Sequence, residues 1–237
     1  MRAKYRVCNL RTWFEETGGH GRTFIARHDV DRRPERALAM AELEASLGIS
    51  ASYYFRIVPA AFDPEIICRI FELGHEIGYH YEDWNLGACD KDLAIESYRV
   101  NLDRLRKLVP IETIAMHGSP LAKESNFAIW DHYDFTKDGV KDAVKSADFS
   151  EYAFFTDTGR TFGVTGANLR DFVDSKVEFP SIKTSCDLVE FLDRGEHDKV
   201  YFSAHPERWT GHRTSWVSQY LRDKLANSVK RTMSIVK

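Results

Sequence analysis

Short apolar runs alternate with amphipathic stretches along most of this chain. Residues 23–31, TFIARHDVD, are a β-branched and aromatic run that ends in charge, and they predict a strand. Residues 33–48 predict a helix, with Pro34 suited to its first turn and Gly48 to its stop. The same alternation continues with a strand over 50–57, a helix over 63–73 closed by Gly74, a strand over 75–81, a helix over 89–109 and a strand over 112–118. Further on come a strand over 151–159, a helix over 184–195, a strand over 199–206 and a closing helix over 213–235. No internal repeat and no low-complexity linker interrupts the series. Strands separated by helices of this length imply a parallel sheet with helical crossovers. Its two architectures are a small (β/α) barrel and an open doubly wound sheet.

The polar strand ends favour the barrel. Four strands finish in Asp29 and Asp31, in His80, in His117 and in His205. In either architecture functional side chains gather at the C-terminal ends of the strands, and convergence from many strands is easiest in a barrel. No GxGxxG or GxxxxGK[ST] follows a strand, which removes dinucleotide and P-loop readings.

Length and composition narrow the class. The chain has 237 residues, enough for one compact domain, with 43% hydrophobic and 29% charged residues. Its net charge is -3, so neither nucleic acid nor an anionic membrane is favoured as partner. The mean hydropathy is -0.41 and no apolar run approaches the ~20 residues of a membrane span. The first residues carry charge without an apolar core, unlike a signal peptide, so a cytoplasmic location is expected. Cys8, Cys68, Cys89 and Cys186 are scattered with no CxxC pair and are expected to be reduced, mostly buried thiols.

The chemistry concentrates in a few segments. In His28-Asp29-Val30-Asp31 the two carboxylates sit two apart, so on a strand they share one face while His28 and Val30 share the other. Two adjacent carboxylates ionise together at a penalty that a cation between them removes, which suggests one ligand and one base. Asp31 alone can also be read as a helix N-cap. His80 and His117 stand at strand ends where neutral imidazole can ligate a metal, and Gly118 and Pro120 turn the chain sharply after His117. His205 is the remaining strand-end histidine and the best general acid, or else a hydrogen-bonded loop residue. Asp157 can orient a catalytic histidine, and Arg160 can hold a carboxylate or an anionic substrate group, although Asp-Thr-Gly also fits a plain turn. Glu82 reads equally as a substrate contact or a surface charge. Trp84 and Trp209 read as sugar-stacking faces or as packing. His75 reads as structural, and His20, His132, His197 and His212 as surface residues.

RHDVDRRPERAL, GHEIGYHYE, MHGSPLAKESN, FFTDTGRTF and SAHPERW, in that order from residue 27 to residue 209, resemble the motifs of the polysaccharide deacetylase superfamily, carbohydrate esterase family 4 and its relatives. The likeness is greatest to a subgroup carrying HDVD, related to deacetylases of surface-polysaccharide (lipopolysaccharide O-antigen) synthesis. The resemblance implies a single-domain distorted (β/α)7 barrel over 1–237, with residues 1–22 packing on it. It also implies metal-dependent hydrolysis of an N-acetyl group on an acetamido sugar or glycan precursor. Carried over by position, Asp29 is the base, Asp31 and His80 are metal ligands, and His205 is the general acid. The family's second metal histidine falls where this chain has Trp84, and MHGSP replaces an Arg-Pro-Pro motif. His117 is therefore expected to supply the missing imidazole, and Arg160 or Arg27 the missing arginine. The ion implied is divalent, zinc first. The alternative is an inactive barrel of the same kind that binds carbohydrate or a glycan-assembly partner.

Overall fold

A computed structural model describes residues 4–18, 21–119, 122–158, 162, 173–221 and 223–224. Eight parallel strands alternate with helices: β1 (Arg6–Cys8), α1 (Leu10–Glu15), β2 (Thr23–Val30), α2 (Pro34–Ser46), β3 (Ser52–Phe55), α3 (Pro64–Glu72), β4 (Glu76–Tyr81), α4 (Asp83–Leu86), α5 (Lys91–Arg106), β5 (Thr113–Met116), β6 (Lys141–Asp142), β7 (Ala153–Thr156), α6 (Ser185–Arg194) and β8 (Lys199–Ala204). The sheet runs β6-β5-β4-β3-β2-β8-β7. β1 lies off this path beside the first half of β2, pairing Arg6 with Thr23 and Cys8 with Ile25. Among the described residues nothing joins β6 to β7, so the sheet curls into an open, distorted (β/α)7 barrel forming one domain.

The expected elements are present with shorter ends, and β1, α1, α4 and β6 were not expected. β1 and β6 have three and two residues, too few to show a period. α4 occupies what read as a loop before Asp90, whose side chain caps α5 at Asp92 and Leu93. α2 starts at Pro34 after Arg33 in a left-handed conformation (φ 55°) with no side-chain cap, so Asp31 is not an N-cap. Gly48, at φ 64°, takes the left-handed position just beyond that helix. The closing helix is described over 213–221, and the stretch 225–235 lies outside the described residues.

Strand alternation sorts the side chains. Phe24, Ala26 and Val30 of β2, Tyr53 and Phe55 of β3, and Ile77, Tyr79 and Tyr81 of β4 face the helices in the main core. Ile25, Tyr54, Ala115, Phe154 and Tyr201 fill the barrel interior, where Leu10, Trp13 and Phe14 of α1 join them at its N-terminal end. Tyr54 stands opposite Gly78 in the β3–β4 register. A Cβ on Gly78 would lie 2.3 Å from the Tyr54 ring, so only glycine admits that ring. The interior face of β2 then continues from Ile25 through Arg27 and Asp29, and that of β4 from Glu76 through Gly78 and His80 to Glu82. The period of two carries the charged and imidazole groups to the C-terminal mouth. Cys8 is buried and Cys68 partly so, whereas Cys89 and Cys186 are exposed. That corrects the expectation of mostly buried thiols. Both exposed cysteines lie beside helix starts on the surface.

Candidate active site

At the mouth, Asp31 Oδ1 lies 3.5 Å from His80 Nε2 and 3.4 Å from His117 Nε2. The two rings meet edge-on with centroids 5.2 Å apart. Asp31 Oδ1 is buried and has no hydrogen-bond partner. Each imidazole is oriented from behind. His80 Nδ1 donates to the Ala115 carbonyl at 3.0 Å, which fixes the ring with Nε2 toward Asp31. His117 Nδ1 lies 3.0 Å from Glu82 Oε2, and Arg56 grips Glu82 through two 2.7 Å bonds. Burial opposes a charge on His117, but Asp31 and Glu82 outweigh it and raise the ring to about 9. Burial likewise opposes the charge on Glu82, yet His117 and Arg56 hold it down to about 2. Asp31, despite its burial, is held well below the usual carboxylate range by His117 and His80.

Asp29 Oδ2 faces the same point, 3.8 Å from His80 Nε2. Arg27, two residues back on the same strand face, clamps both Asp29 oxygens at 2.7 Å. Against the effect of burial, that guanidinium lowers the Asp29 pKa.

The fourth wall is a histidine–carboxylate pair. His205 Nε2 lies 3.9 Å from Asp31 Oδ2, and its Nδ1 lies 2.6 Å from Asp157 Oδ1. Asp157 also accepts from the His205 backbone N–H at 3.0 Å, Arg208 at 2.8 Å and Trp209 Nε1 at 2.9 Å. Burial and Arg208 both work against a charged His205 ring, but Asp157 and Asp31 raise it to about 9. Asp157, buried though it is, is held far below its ordinary value by Arg208 and His205.

The structure therefore brings Asp29, Asp31, His80, His117 and His205 together, with Arg27 and Asp157 supporting them. Glu82 is neither a surface charge nor open to substrate: it is 6% exposed and locked between Arg56 and His117. Trp84 is 5% exposed and packs in the core, stacking on His132 and donating to Glu124. Trp209, 38% exposed, stands over Asp157 at the edge of a cavity of about 380 Å³. His75 is buried between Ala51 and Ala41 backbone groups, a structural role. Arg160 and His20 lie outside the described residues.

Three charged residues at the mouth carried no strong motif signal. Arg56 follows β3 and sits on the interior-facing phase of Tyr54, which period-two counting finds. Arg208 follows His205 by three residues, on the short helical turn Pro206–Arg208. Glu207, on the same turn, is fully buried with neither side-chain oxygen hydrogen-bonded, and Arg32 lies 3.4 Å from its Oε1. Burial, with the negative charge of Asp31 acting the same way, pushes it up to about 7.

Among the described residues no group of three or more His, Cys, Asp or Glu stands arranged to hold a metal ion. The donor chemistry nevertheless suits a cation. Ligands at about 2.0–2.1 Å in tetrahedral geometry are separated by about 3.3 Å, close to the two Asp31–imidazole distances, and one of the atoms is an orphaned buried carboxylate oxygen. Nδ1 partners such as Ala115 O and Glu82 are the supports that ligating histidines use.

No family model matches the chain, and no curated protein matches it significantly. What fold and site define is an open parallel α/β barrel with a carboxylate–imidazole cluster at the C-terminal mouth. No helix among the described residues is long and apolar enough to cross a membrane.

Proposed function

We propose that this protein is a metal-dependent hydrolase that removes an N-acetyl group from an acetamido sugar or glycan precursor. The observation that carries the reading is the meeting of Asp31 Oδ1 with two Nε2 atoms opposite a protonated His205. Asp31, His80 and His117 would hold a divalent ion, zinc first by donor type. Such an ion, when bound, polarises an acyl carbonyl and acidifies water.

The chain's own groups handle the protons. Asp29 accepts the proton of the attacking water: Arg27 occupies one lone pair on each of its oxygens and leaves the others available. His205 Nε2–H gives its proton to the departing nitrogen, and Asp157 stabilises the imidazolium before that transfer. A proton donor held charged to about pH 9 suits an amine, which leaves poorly unprotonated; this favours an amide over an ester substrate. The resemblance to polysaccharide deacetylases supports a sugar as the bearer of the acetamide, and surface-polysaccharide synthesis in the cytoplasm as its setting.

The test is metal analysis joined to acetate release. The purified chain, supplied with zinc or cobalt, is expected to bind one ion and to release acetate from N-acetylated sugars, and His205→Ala to bind the ion without releasing acetate. A wild-type chain that takes up no zinc, cobalt, nickel or iron overturns the reading.

A further inference from the structure

The cavity beside Asp157 lies outside the hydrolytic chemistry. It has a volume of about 380 Å³ and is lined by Phe162, Lys183, Arg208, Trp209, Trp216 and Tyr220. Asp157 is part of its wall, so one carboxylate separates it from His205. Whatever the acetamido sugar carries beyond the ring delivered to His205 is therefore within reach of this space.

Its surface is selective. Trp209 is pinned in orientation by its Nε1 bond to Asp157 at 2.9 Å. Trp216 stacks on Tyr220 at 5.1 Å with 10° between the ring planes and is 43% exposed. Flat exposed rings accept another flat ring, a sugar face or a nucleobase. The polar lining separates the two. A sugar's hydroxyl edge is met by planar amide and carboxylate groups, and the carboxylate of the described lining is Asp157. Both Asp157 oxygens already take donors from His205, and Arg208 and Trp209 add one each. The other charged lining groups are cationic, Lys183 and Arg208; Arg208 is held by Asp157 at 2.8 Å and its Nε lies 3.9 Å from Asp223 Oδ2. Thr184, Ser185 and Thr210 add hydroxyls. An aromatic platform with cations and hydroxyls suits a base bearing phosphates.

The geometry points to a nucleoside diphosphate as the occupant of this cavity, the base stacked on Trp216 and Trp209 and the phosphates facing Lys183 and Arg208. The substrate is then a nucleotide-linked acetamido sugar. Naming that substrate rests on the deacetylase reading, whereas the cavity's ligand does not.

The experiment is calorimetric and tryptophan-fluorescence titration of the full-length His80→Ala chain, in which hydrolysis plays no part. The probes are UDP, ADP, GDP, inorganic pyrophosphate and an N-acetylglucosamine tetramer. At least one nucleotide is expected to bind with a Kd below about 1 mM and quench fluorescence, and Trp216→Ala to weaken it about tenfold or more. Trp216→Phe, which keeps a flat ring, is expected to restore most of that affinity, and Lys183→Ala to weaken nucleotide and pyrophosphate alike. The proposal is overturned if no nucleotide binds, if pyrophosphate binds as tightly as the best nucleotide, or if the tetramer is the tighter ligand. Nucleotide binding by a chain that releases no acetate from any sugar leaves the cavity's ligand standing and removes the deacetylase reading. Acetate release without nucleotide binding does the reverse.

Discussion

Asp157 holds His205 by two bonds at once, taking the ring Nδ1–H at 2.6 Å and the backbone N–H at 3.0 Å. The two residues follow neighbouring parallel strands, β7 and β8, whose register pairs Thr156 with Ser203. The carboxylate thus fixes both where the loop leaves the sheet and which ring nitrogen faces Asp31.

That pairing sets an alkaline limit. A donor raised to about 9 stays charged through neutrality, so turnover is expected to fall as pH rises through about 9. In Asp157→Asn the counter-charge is gone and the limb is expected to move toward the ordinary histidine value of about 6.5. At pH 8 that is a loss of roughly tenfold or more, before any loss of orientation. The same raised value stabilises the fold fully below the unfolded-chain pKa of about 6.5, and that contribution disappears as pH rises through about 9. A pH–rate profile and thermal melts at pH 6 and 10 check both, and an unmoved alkaline limb in Asp157→Asn removes His205 from the acid role.

The triangle of Asp31, His80 and His117 predicts which variants lose an ion. His80→Ala and His117→Ala are each expected to lose bound zinc together with activity, because each removes one of three donors. His205→Ala is expected to keep the ion. Elemental analysis after dialysis distinguishes them, and release of the ion by His205→Ala would reverse the two roles.

Glu82 acts through His117 and not on substrate. Glu82→Gln keeps the shape but removes the charge that Arg56 and His117 share, and metal affinity is expected to fall about 10–100-fold. The KM for substrate is expected to stay near the wild-type value once zinc saturates the site. A large change in KM at saturating zinc would return Glu82 to the substrate side.

Gly78→Ala tests the barrel interior independently of chemistry. Its new methyl would meet the Tyr54 ring at 2.3 Å and the Thr113 carbonyl at 3.0 Å. Tyr54 is fully buried and hydrogen-bonded to Thr113, so it has little room to give. The expected loss is about 1–3 kcal/mol of stability, read by denaturant unfolding. A change within error would mean that the ring relaxes freely.

The parallel alternation, the four polar strand ends and the single domain were legible because period-two runs and glycine stops are local signals. Asp29, Asp31, His80, His117 and His205 could be placed on one mouth because in a parallel barrel every strand end points the same way. Asp157 could be read as orienting a catalytic histidine because it follows a strand end, although a plain turn fitted as well. Arg27 entered only through the family resemblance, as one of two arginines that could replace a missing one, and its clamp on Asp29 is seen only in the fold. Glu82 could not be assigned, since its partner Arg56 lies 26 residues away in sequence and only the β3–β4 pairing joins them. Trp84 was ambiguous because a tryptophan at a strand exit suits the core and the rim equally; the short α4 turns it inward. Glu207, though part of SAHPERW, gave no sign of its burial, which arises where the turn Pro206–Arg208 packs on α2 and β2.

The two carboxylates of β2 are expected to differ although they are only two residues apart. Asp31 is the oxygen donor that pairs with both Nε2 atoms, so Asp31→Asn is expected to weaken zinc binding. Asp29 is engaged in plane by Arg27, and Asp29→Asn is expected to keep the ion while the rate falls about 100- to 10,000-fold, the usual contribution of a general base. Arg27 separates position from charge. Arg27→Met leaves Asp29, 2% exposed, as a buried carboxylate without its counter-ion, and breaking such a pair destabilises by about 3–5 kcal/mol. The Asp29 pKa must then rise from its lowered value, so the acidic limb of the pH–rate profile is expected to move upward in a variant that still folds. Arg27→Lys keeps a positive charge without the two-pronged grip and is expected to fall between wild type and Arg27→Met in both melting temperature and limb position. Zinc titration of the two aspartate variants, with pH–rate profiles of the two arginine variants, decides the assignment. Equal loss of zinc affinity in Asp29→Asn and Asp31→Asn would make both residues ligands, and an acidic limb unmoved by Arg27→Met would take the base role from Asp29.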